Sequence, residues 1–477
     1  MSDGKTVNNE MNNENKQKAE HEFRKKVGRK FYVERLMSEM SQSQLAEKLG
    51  TSKSNISRLE NGKENLSVDY VELLAKAFDK DVALVLSDSQ VSYGDTEIYS
   101  LKLYDDELIR FRMERSDSSQ YGASVEIINI NESERKLFPL DLEVSETGIL
   151  KWLCHRAIPS NREFVEKILY ALGLEGGDIK GLADICFALS LNDSYWVTPY
   201  DLNRPFSSYN LYENEFNRTL SLIAYAGYGS THQKFVTTPE LTTGGMLRKA
   251  WRYKGSDGIW LYKSGTDGFA NAGNEPFSEF YASQIAERMG LNAVHYDLER
   301  WQHILASKCR LFTDIDTSYI PIGRIVKTGG IEACLEFYRE RGNDFYQQLV
   351  SMLCFDAIVL NEDRHYGNFG VLRDNHTGEI IAPAPIFDNG ISLLCYAMKS
   401  DFDDNIETYI EGRSNPYGSR NQFLDLAKRL SGPVQREQMR RLINFRFTES
   451  NICNLPTWRL RALEQIIQDR VRILLDM

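Results

Sequence analysis

Two spacings of apolar residues divide this chain. Between 31 and 86 they recur at intervals of three and four, the period of helices that bury one face. Leu45, Ala46 and Leu49 share one side of a short helix, and Ala46 is small enough to let a second helix cross closely. Gly50 suits the left-handed turn that follows, which few other residues tolerate. Thr51 or Ser52 can cap the next helix. There Ile56 and Leu59 point inward, leaving Ser54, Ser57, Arg58 and Asn61 outward, with Lys53 and Asn55 on the flanks. Val71, Leu74, Ala77 and Phe78 predict a further amphipathic helix. Two short helices joined at a tight glycine turn make a helix-turn-helix, whose second helix enters the major groove of DNA.

Beyond 87 the pattern changes. Residues 97–103 and 125–128 predict strands in a β-rich stretch. Residues 148–174 predict helix, with Trp152, Leu153, Ile158, Phe164, Ile168, Leu169 and Leu172 as its apolar positions. Residues 258–263 predict a strand ending in Lys263, and 278–286 a helix with Glu279 near its start. A run near 304–312 reads as a strand. An apolar run from Met352 to Leu360, broken by Asp356, precedes a polar loop. Val371-Leu372, Ile380-Ile381 and Ile386-Phe387 then predict short strands. Trp458, Leu460, Leu463, Ile466, Ile467, Val471 and Leu474 predict a core-facing terminal helix.

The length of 477 residues allows two or three domains. Residues 1 to about 20 are rich in Asn, Lys and Glu and predict a tail without fixed structure. A basic cluster follows (Arg24, Lys25, Lys26, Arg29, Lys30) that suits either a solvated helix face or duplex phosphates. Seven scattered cysteines with no Cys-x-x-Cys disfavour a zinc site or a disulfide framework and fit a reducing cytosol. No apolar run approaches a membrane span, and the N-terminus does not read as a signal peptide. The net charge is −11, so contact with DNA must be confined to one module.

The chemistry-bearing stretch is 360–370. Asp363 and Asn368 stand five apart, as the base and metal-binding Asn do in a kinase catalytic loop. Asp388 follows in Asp-Asn-Gly, where that template places a second magnesium ligand. Each pattern alone is common, and Asp-x-Gly is most often a turn; order, spacing and apolar flanks carry the reading. Upstream, Lys263 and Glu279 match the strand lysine and helix glutamate that handle ATP phosphates. Thr242-Thr243-Gly244-Gly245 with Lys249 suits a phosphate-covering turn, because adjacent glycines let backbone N–H groups approach an anion; it equally suits a plain hairpin.

Asp363-Arg364-His365-Tyr366-Gly367-Asn368 with Phe387-Asp388-Asn389-Gly390 resembles the HipA-like serine/threonine kinases, toxins of bacterial persistence modules related distantly to phosphoinositide kinases. The segment Ser190-Leu191-Asn192-Asp193-Ser194-Tyr195-Trp196 resembles a family segment as well. The resemblance spans roughly 140 to 400. It implies a bilobal kinase using ATP and Mg²⁺, with Asp363 as base, Asn368 and Asp388 on the metal and Lys263 on the phosphates. His365 matches the motif and is expected to shape the loop. Gln42-x-x-Leu45-Ala46-x-x-x-Gly50 and Ile56-Ser57-x-x-Glu60-x-Gly62 resemble the Cro/repressor class of helix-turn-helix domains. In the kinase family a separate HipB-like protein of that kind binds operator DNA; here the module is fused to the N-terminus. The glycine turn differs from the family's best-known form, so no autophosphorylation site carries over.

The expected fold is multidomain, an all-α helix-turn-helix domain followed by an α+β bilobal HipA-like (protein kinase/phosphoinositide kinase-like) domain. Its linear division is a disordered tail over 1–21, a DNA-binding domain over 22–86, an accessory part over 87–225, a nucleotide-binding lobe over 226–345 and a mainly helical catalytic lobe over 346–477. Asp363 is the candidate base. Lys263, Glu279, Gly244, Gly245 and Lys249 are candidate nucleotide contacts, and Asn368 and Asp388 candidate metal ligands. Gln42, Lys53, Ser54, Asn55, Ser57 and Arg58 are candidate DNA contacts. The expected partners are a protein with a Ser or Thr acceptor and operator DNA bound as a homodimer, in the cytoplasm and away from membranes. The competing reading is a transcriptional repressor whose kinase-like half senses a nucleotide or partner. A lipid kinase is weaker, since no basic amphipathic helix supports it.

Overall fold

The structure is a computed structural model that describes residues 24, 27, 28, 31, 35, 38, 40–63, 68–78, 97–116, 118–172, 174, 176–227, 237–268, 271–413, 415–417 and 423–476. The expected tail over 1–21, most of the basic cluster after it, and the boundary near 86 lie outside these residues. The chain divides into two compact units. One contains the described residues before 94 with 164–176 and 217–236; the other contains 95–163, 177–216 and 237–477.

In the first unit, α1 (Gln42–Lys48), α2 (Lys53–Glu60) and α3 (Val68–Ala77) follow the predicted periodicity. Ser41 and Gln44 form a reciprocal capping box at the start of α1. Of the two candidate caps for α2, Ser52 takes the position: its Oγ accepts from Asn55 N at 3.2 Å. Gly50 has φ +63°, so the turn between the helices needs the left-handed freedom expected of it. Leu45, Ile56 and Leu74 are fully buried together with Ala46 and Leu59, each large side chain contributing roughly 1.5–3 kcal/mol. The helices 165–171 and 218–226 belong to the same unit and pack on each other.

The second unit begins with an antiparallel sheet of β1 (Ile98–Leu103), β2 (Asp106–Arg115), β3 (Ala123–Ile130) and β4 (Tyr195–Pro199) in the order β3-β2-β1-β4. Helices α4 (Glu146–Arg156) and α5 (Ile179–Cys186) fall between β3 and β4. The helix predicted over 148–174 is two, α4 and the helix 165–171, because 157–164 leaves helical geometry at Ala157 and Pro159 cannot extend the first. A second antiparallel sheet, β5-β6-β8-β7, comprises β5 (Lys249–Tyr253), β6 (Ile259–Ser264), β7 (Tyr296–Trp301) and β8 (Ile304–Arg310). Helix α6 (Glu275–Met289) connects β6 to β7 and packs against this sheet. A third sheet orders β9 (Thr317–Pro321), β10 (Gly370–Asp374) and β11 (Ile380–Pro383) as β11-β10-β9.

The remainder is helical: α7 (Ile322–Ile325), α8 (Gly330–Glu340), α9 (Asn343–Val359), α10 (Lys399–Glu411), α11 (Phe423–Leu430), α12 (Pro433–Arg440) and α13 (Thr457–Leu475). Helix α9 is buried without interruption from Leu349 to Val359, since α11, α12 and α13 pack around it. Along α13, Leu460, Leu463, Ile467, Val471 and Leu474 face the core as expected, but Trp458 is 37% exposed and packs edge-on against Phe402. Among the described residues no helix is long and apolar enough to cross a membrane. The seven cysteines are all unpaired.

Candidate active site

The chain reaches the site at the end of α9. Leu360 takes φ +57° and closes the helix, so that residues 361–369 form a loop before β10 begins. Asn361 stays fully buried, accepting Asp363 N–H at 3.0 Å and donating to Asp388 O at 3.3 Å. Asn368 donates its amide to Asp363 O at 3.0 Å, which leaves its carbonyl oxygen as the available ligand atom. His365 Nδ1 accepts Gly367 N–H at 2.9 Å, so this side chain does shape the loop.

Arg364 holds this loop to its surroundings. Its guanidinium is fully buried against Asp356 on α9, at 3.1 Å from Nε. It also donates to Asn368 O at 3.2 Å, to Phe387 O, and to Asn389 Oδ1 at 2.5 Å. One side chain thus ties the Asp363 loop, the Asp388 segment and the core helix together. Burial raises the Asp356 carboxyl above its usual range despite Arg364. The sequence motif contained Arg364, but nothing in the spacing indicated that Asp356 and Asn389 would be its partners.

On the sheet side, Lys263 Nζ is bonded to Glu279 and, at 2.5 Å, to Asp388 Oδ1. Glu279 is 1% exposed, and its second oxygen accepts Asn389 N–H at 2.9 Å. Asp388 has φ +56° and keeps 31% of its side-chain surface open. Desolvation pushes its carboxyl up, but Lys263 and Lys249 outweigh this and hold it well below the usual carboxylate range. Asp363 is raised, by burial above all and further by the charge of Asp388, with His365 opposing. The expected pair Lys263 and Glu279 and the expected Asp388 therefore meet.

The glycine turn also meets them. Lys249 on β5 pairs across the sheet with Lys263 on β6, which puts both side chains on one face. Gly245 has φ +85°, and a methyl there would come within 2.2 Å of Lys249 Nζ, so the turn lies directly over the ammonium. Arg162, which sequence reasoning did not single out, fastens the turn from behind. It is paired with Glu240 at 3.0 Å, both side chains wholly buried, and donates to Thr243 O at 3.0 Å and Lys249 O at 2.7 Å. These partners are far apart in sequence, so no local pattern could have shown the pair.

Burial, then the charge of Lys263, pulls Lys249 down to about 7. Below that value Lys249 carries a buried charge that the unfolded chain carries at no cost. The penalty is therefore full below pH 7 and fades as pH rises toward the ordinary lysine value. Lys249→Met is accordingly expected to raise the melting temperature more at pH 6 than at pH 9. Thermal unfolding at the two pH values checks this; an equal change at both would show that Lys249 is not the titrating group.

Gly244, Gly245, Lys249, Lys263, Asp363, Asn368 and Asp388 line one cleft of about 1120 Å³. One part is apolar: Val294, Tyr296 and Cys309 are buried, with Leu261, Phe312 and Phe387 packed on them. The Phe312 and Phe387 rings lie 5.2 Å apart, just beyond the end of β8. An aromatic ring fits such a slot, and phosphates fit the two lysines beside it. Among the described residues no three His, Cys, Asp or Glu side chains cluster as a ready-made metal cage. One carboxylate, one amide oxygen and incoming phosphate oxygens are a donor set that suits magnesium.

On the helix-turn-helix, Lys53, Ser54, Asn55 and Arg58 are exposed and Ser57 is half-buried. Asn55 donates to Thr51 Oγ1 at 3.0 Å. Gln42 is engaged internally: its amide donates to Glu60 at 2.7 Å, beside the buried Arg35–Glu60 pair at 2.6 Å.

A helix-turn-helix family model matches residues 34–85, so that segment is a helix-turn-helix domain, and α1 and α2 within it are joined at the Gly50 turn. No curated protein matches the chain. Several solved structures are similar to it, these two among them. One is a proinflammatory kinase of Helicobacter pylori, CtkA, 17% identical, covering 48% of this chain and 93% of that one, with a TM-score of 0.37. The other comes from the Shewanella oneidensis MR-1 toxin–antitoxin complex of HipA, HipB and operator DNA, 13% identical, covering 78% and 96%, with a TM-score of 0.47. The chain thus combines an N-terminal helix-turn-helix region with a mixed α/β region built on antiparallel sheets.

Proposed function

We propose that this chain is an ATP- and magnesium-dependent protein serine/threonine kinase carrying its own DNA-binding module. The observation that carries the reading is Lys263, bonded at once to Glu279 and to Asp388 in a cleft shared with Asp363 and Asn368. A sensor of nucleotides needs the lysines and the slot; it has no need of a half-buried carboxylate beside them.

In this reading the apolar slot holds the adenine, and Lys249 and Lys263 face the phosphates. The charge of Lys263 is fixed in place by Glu279 and Asp388 before the reaction, so little reorganisation is needed as charge moves from the γ-phosphoryl to the leaving oxygen. Asp363 orients the acceptor hydroxyl and takes its proton. Asn368 and Asp388 would hold magnesium, which when bound neutralises charge on the phosphate oxygens. Asp388→Ala is expected to remove most of the magnesium dependence of ATP-induced thermal stabilisation, together with transfer of labelled γ-phosphate. A shift that still depends on Mg²⁺ as in the wild type would count against this site.

The outward side chains of α2 read DNA. Lys53, Ser54, Asn55, Ser57 and Arg58 lie on that helix, and Gln42 stands at the start of α1. One such module covers a half-site, so a homodimer on a two-fold operator is the expected complex. The full chain should retard duplex from upstream of its own gene more strongly than scrambled duplex. Arg58→Ala should narrow that difference by about 1–3 kcal/mol, read from gel shifts at two salt concentrations. Equal retardation of both duplexes by the wild type would make the module a docking element instead.

A further inference from the structure

The cleft, at about 1120 Å³, exceeds the roughly 300–1,000 Å³ common for a small-molecule site. The apolar slot and the two lysines occupy only part of its lining. Another part is polar and comes from segments that the reaction as described leaves without a role: Asn192 and Asp193, His155 and Arg156 at the end of α4, and Gly323 and Arg324 on α7.

Both walls of this compartment touch the loop that carries Asp363. Gly323 N–H donates to Tyr366 O at 2.9 Å, and a methyl on Gly323 would sit 2.9 Å from Tyr366 Cβ. Arg324 beside it donates to His155 O at 2.8 Å. On the other wall Asn192 O accepts Tyr319 N–H at 2.7 Å, and the Tyr319 hydroxyl donates to Gly367 O at 2.9 Å. The Asn192 carboxamide itself makes no hydrogen bond among the described residues.

Asp193 is neutralised by Arg156 at 2.7 Å and Arg324 by Asp141 at 3.1 Å, while Glu163, at 3.2 Å, shares Arg248 with Asp267. Lys151 lies one helical turn before His155 on α4 and so shares its face. Lys327 follows Arg324 closely. Both lysines are exposed, and neither forms an ion pair among the described residues. Burial first, then Arg324, Lys327 and Lys151 together hold the His155 imidazole below its usual range, with Asp141 opposing. A basic rim thus borders the cleft of a chain whose net charge is −11.

We propose that this compartment docks the phosphoryl acceptor, an extended polypeptide whose Ser or Thr has acidic neighbours. The proposal rests on the kinase reading above. The Asn192 carboxamide offers a donor and an acceptor to a peptide backbone, and the Lys151 and Lys327 rim attracts the flanking carboxylates. The hydroxyl oxygen bonds to the γ-phosphorus as the bond from that phosphorus to the ADP oxygen breaks. The hydroxyl proton passes to Asp363, and the products are a phosphoserine or phosphothreonine and ADP.

The test uses the full chain and two synthetic peptide pools, Ser or Thr flanked by Glu in one and by Lys in the other. Binding is read by fluorescence anisotropy and transfer by label from ATP in the presence of Mg²⁺. The Glu pool should bind about tenfold more tightly at low salt, the sum of a few exposed ion pairs, and the preference should shrink as salt is added. The double variant Lys151→Glu/Lys327→Glu should reverse it, with melting temperature as the control for folding. Equal binding of the two pools, or preference for the Lys pool, overturns the proposal. Preferential binding of the Glu pool without transfer upholds the groove and defeats the kinase reading; transfer without preference does the opposite.

Discussion

Asp363→Asn should lower the rate of phosphoryl transfer by about 10²- to 10⁴-fold, the usual worth of a general base. The substitution keeps the shape of the side chain and removes its ability to take a proton. The loop should survive it, because Asn368 and His365 hold Asp363 by its backbone carbonyl and not by its carboxylate. Stabilisation by Mg²⁺ and ATP should therefore remain. The wild type should also lose activity as pH falls toward the raised pKa of Asp363, since a protonated carboxyl cannot act as base. In the variant that limb of the pH profile should vanish from the residual rate. Initial rates with labelled ATP between pH 5 and 8 decide it, and turnover at the wild-type rate would remove Asp363 from the mechanism.

Arg364→Met should cost about 3–5 kcal/mol of stability, the typical penalty for stranding one member of a buried ion pair. Asp356 is fully buried and would be left as an uncompensated carboxylate against α9. Part of its charge would still be met by the Tyr417 hydroxyl at 3.0 Å. The Asn389 and Phe387 oxygens would also lose their donor, so the Asp388 segment should loosen together with the Asp363 loop. Adding Asp356→Leu should recover part of the loss, because no charge is then left behind. Urea unfolding of the wild type, the two single variants and the double variant measures the coupling. A loss below about 1 kcal/mol for Arg364→Met, within the range of an exposed pair, would show that the clamp is not structural.

The helix-turn-helix was legible because its rules are local. Spacing of Leu45, Ile56 and Leu59, a glycine at the turn and a serine cap all act within a few residues, and each is found in place. The Asp363 loop was legible for a similar reason, as Asn368 bonds back to Asp363 within the same turn. Strand β2 is the contrast: Ile109, Phe111 and Met113 alternate with Arg110 and Arg112, but Leu108 and Ile109 are buried side by side, which only the packing of the paired β1 and β3 explains.

The chain's sequence by itself determined which side chains carry charge and chemistry, where the helices cap and turn, and the order in which Lys263, Glu279, Asp363, Asn368 and Asp388 occur. Only the tertiary structure decided what those groups meet. Cross-strand register put Lys249 beside Lys263, and burial then lowered its pKa to about 7. Packing between distant segments joined Arg162 to Glu240 and brought Asn192 to Tyr319 beside the Asp363 loop. Such pairings depend on desolvation and on contacts across tens to hundreds of residues, which no short window of sequence contains.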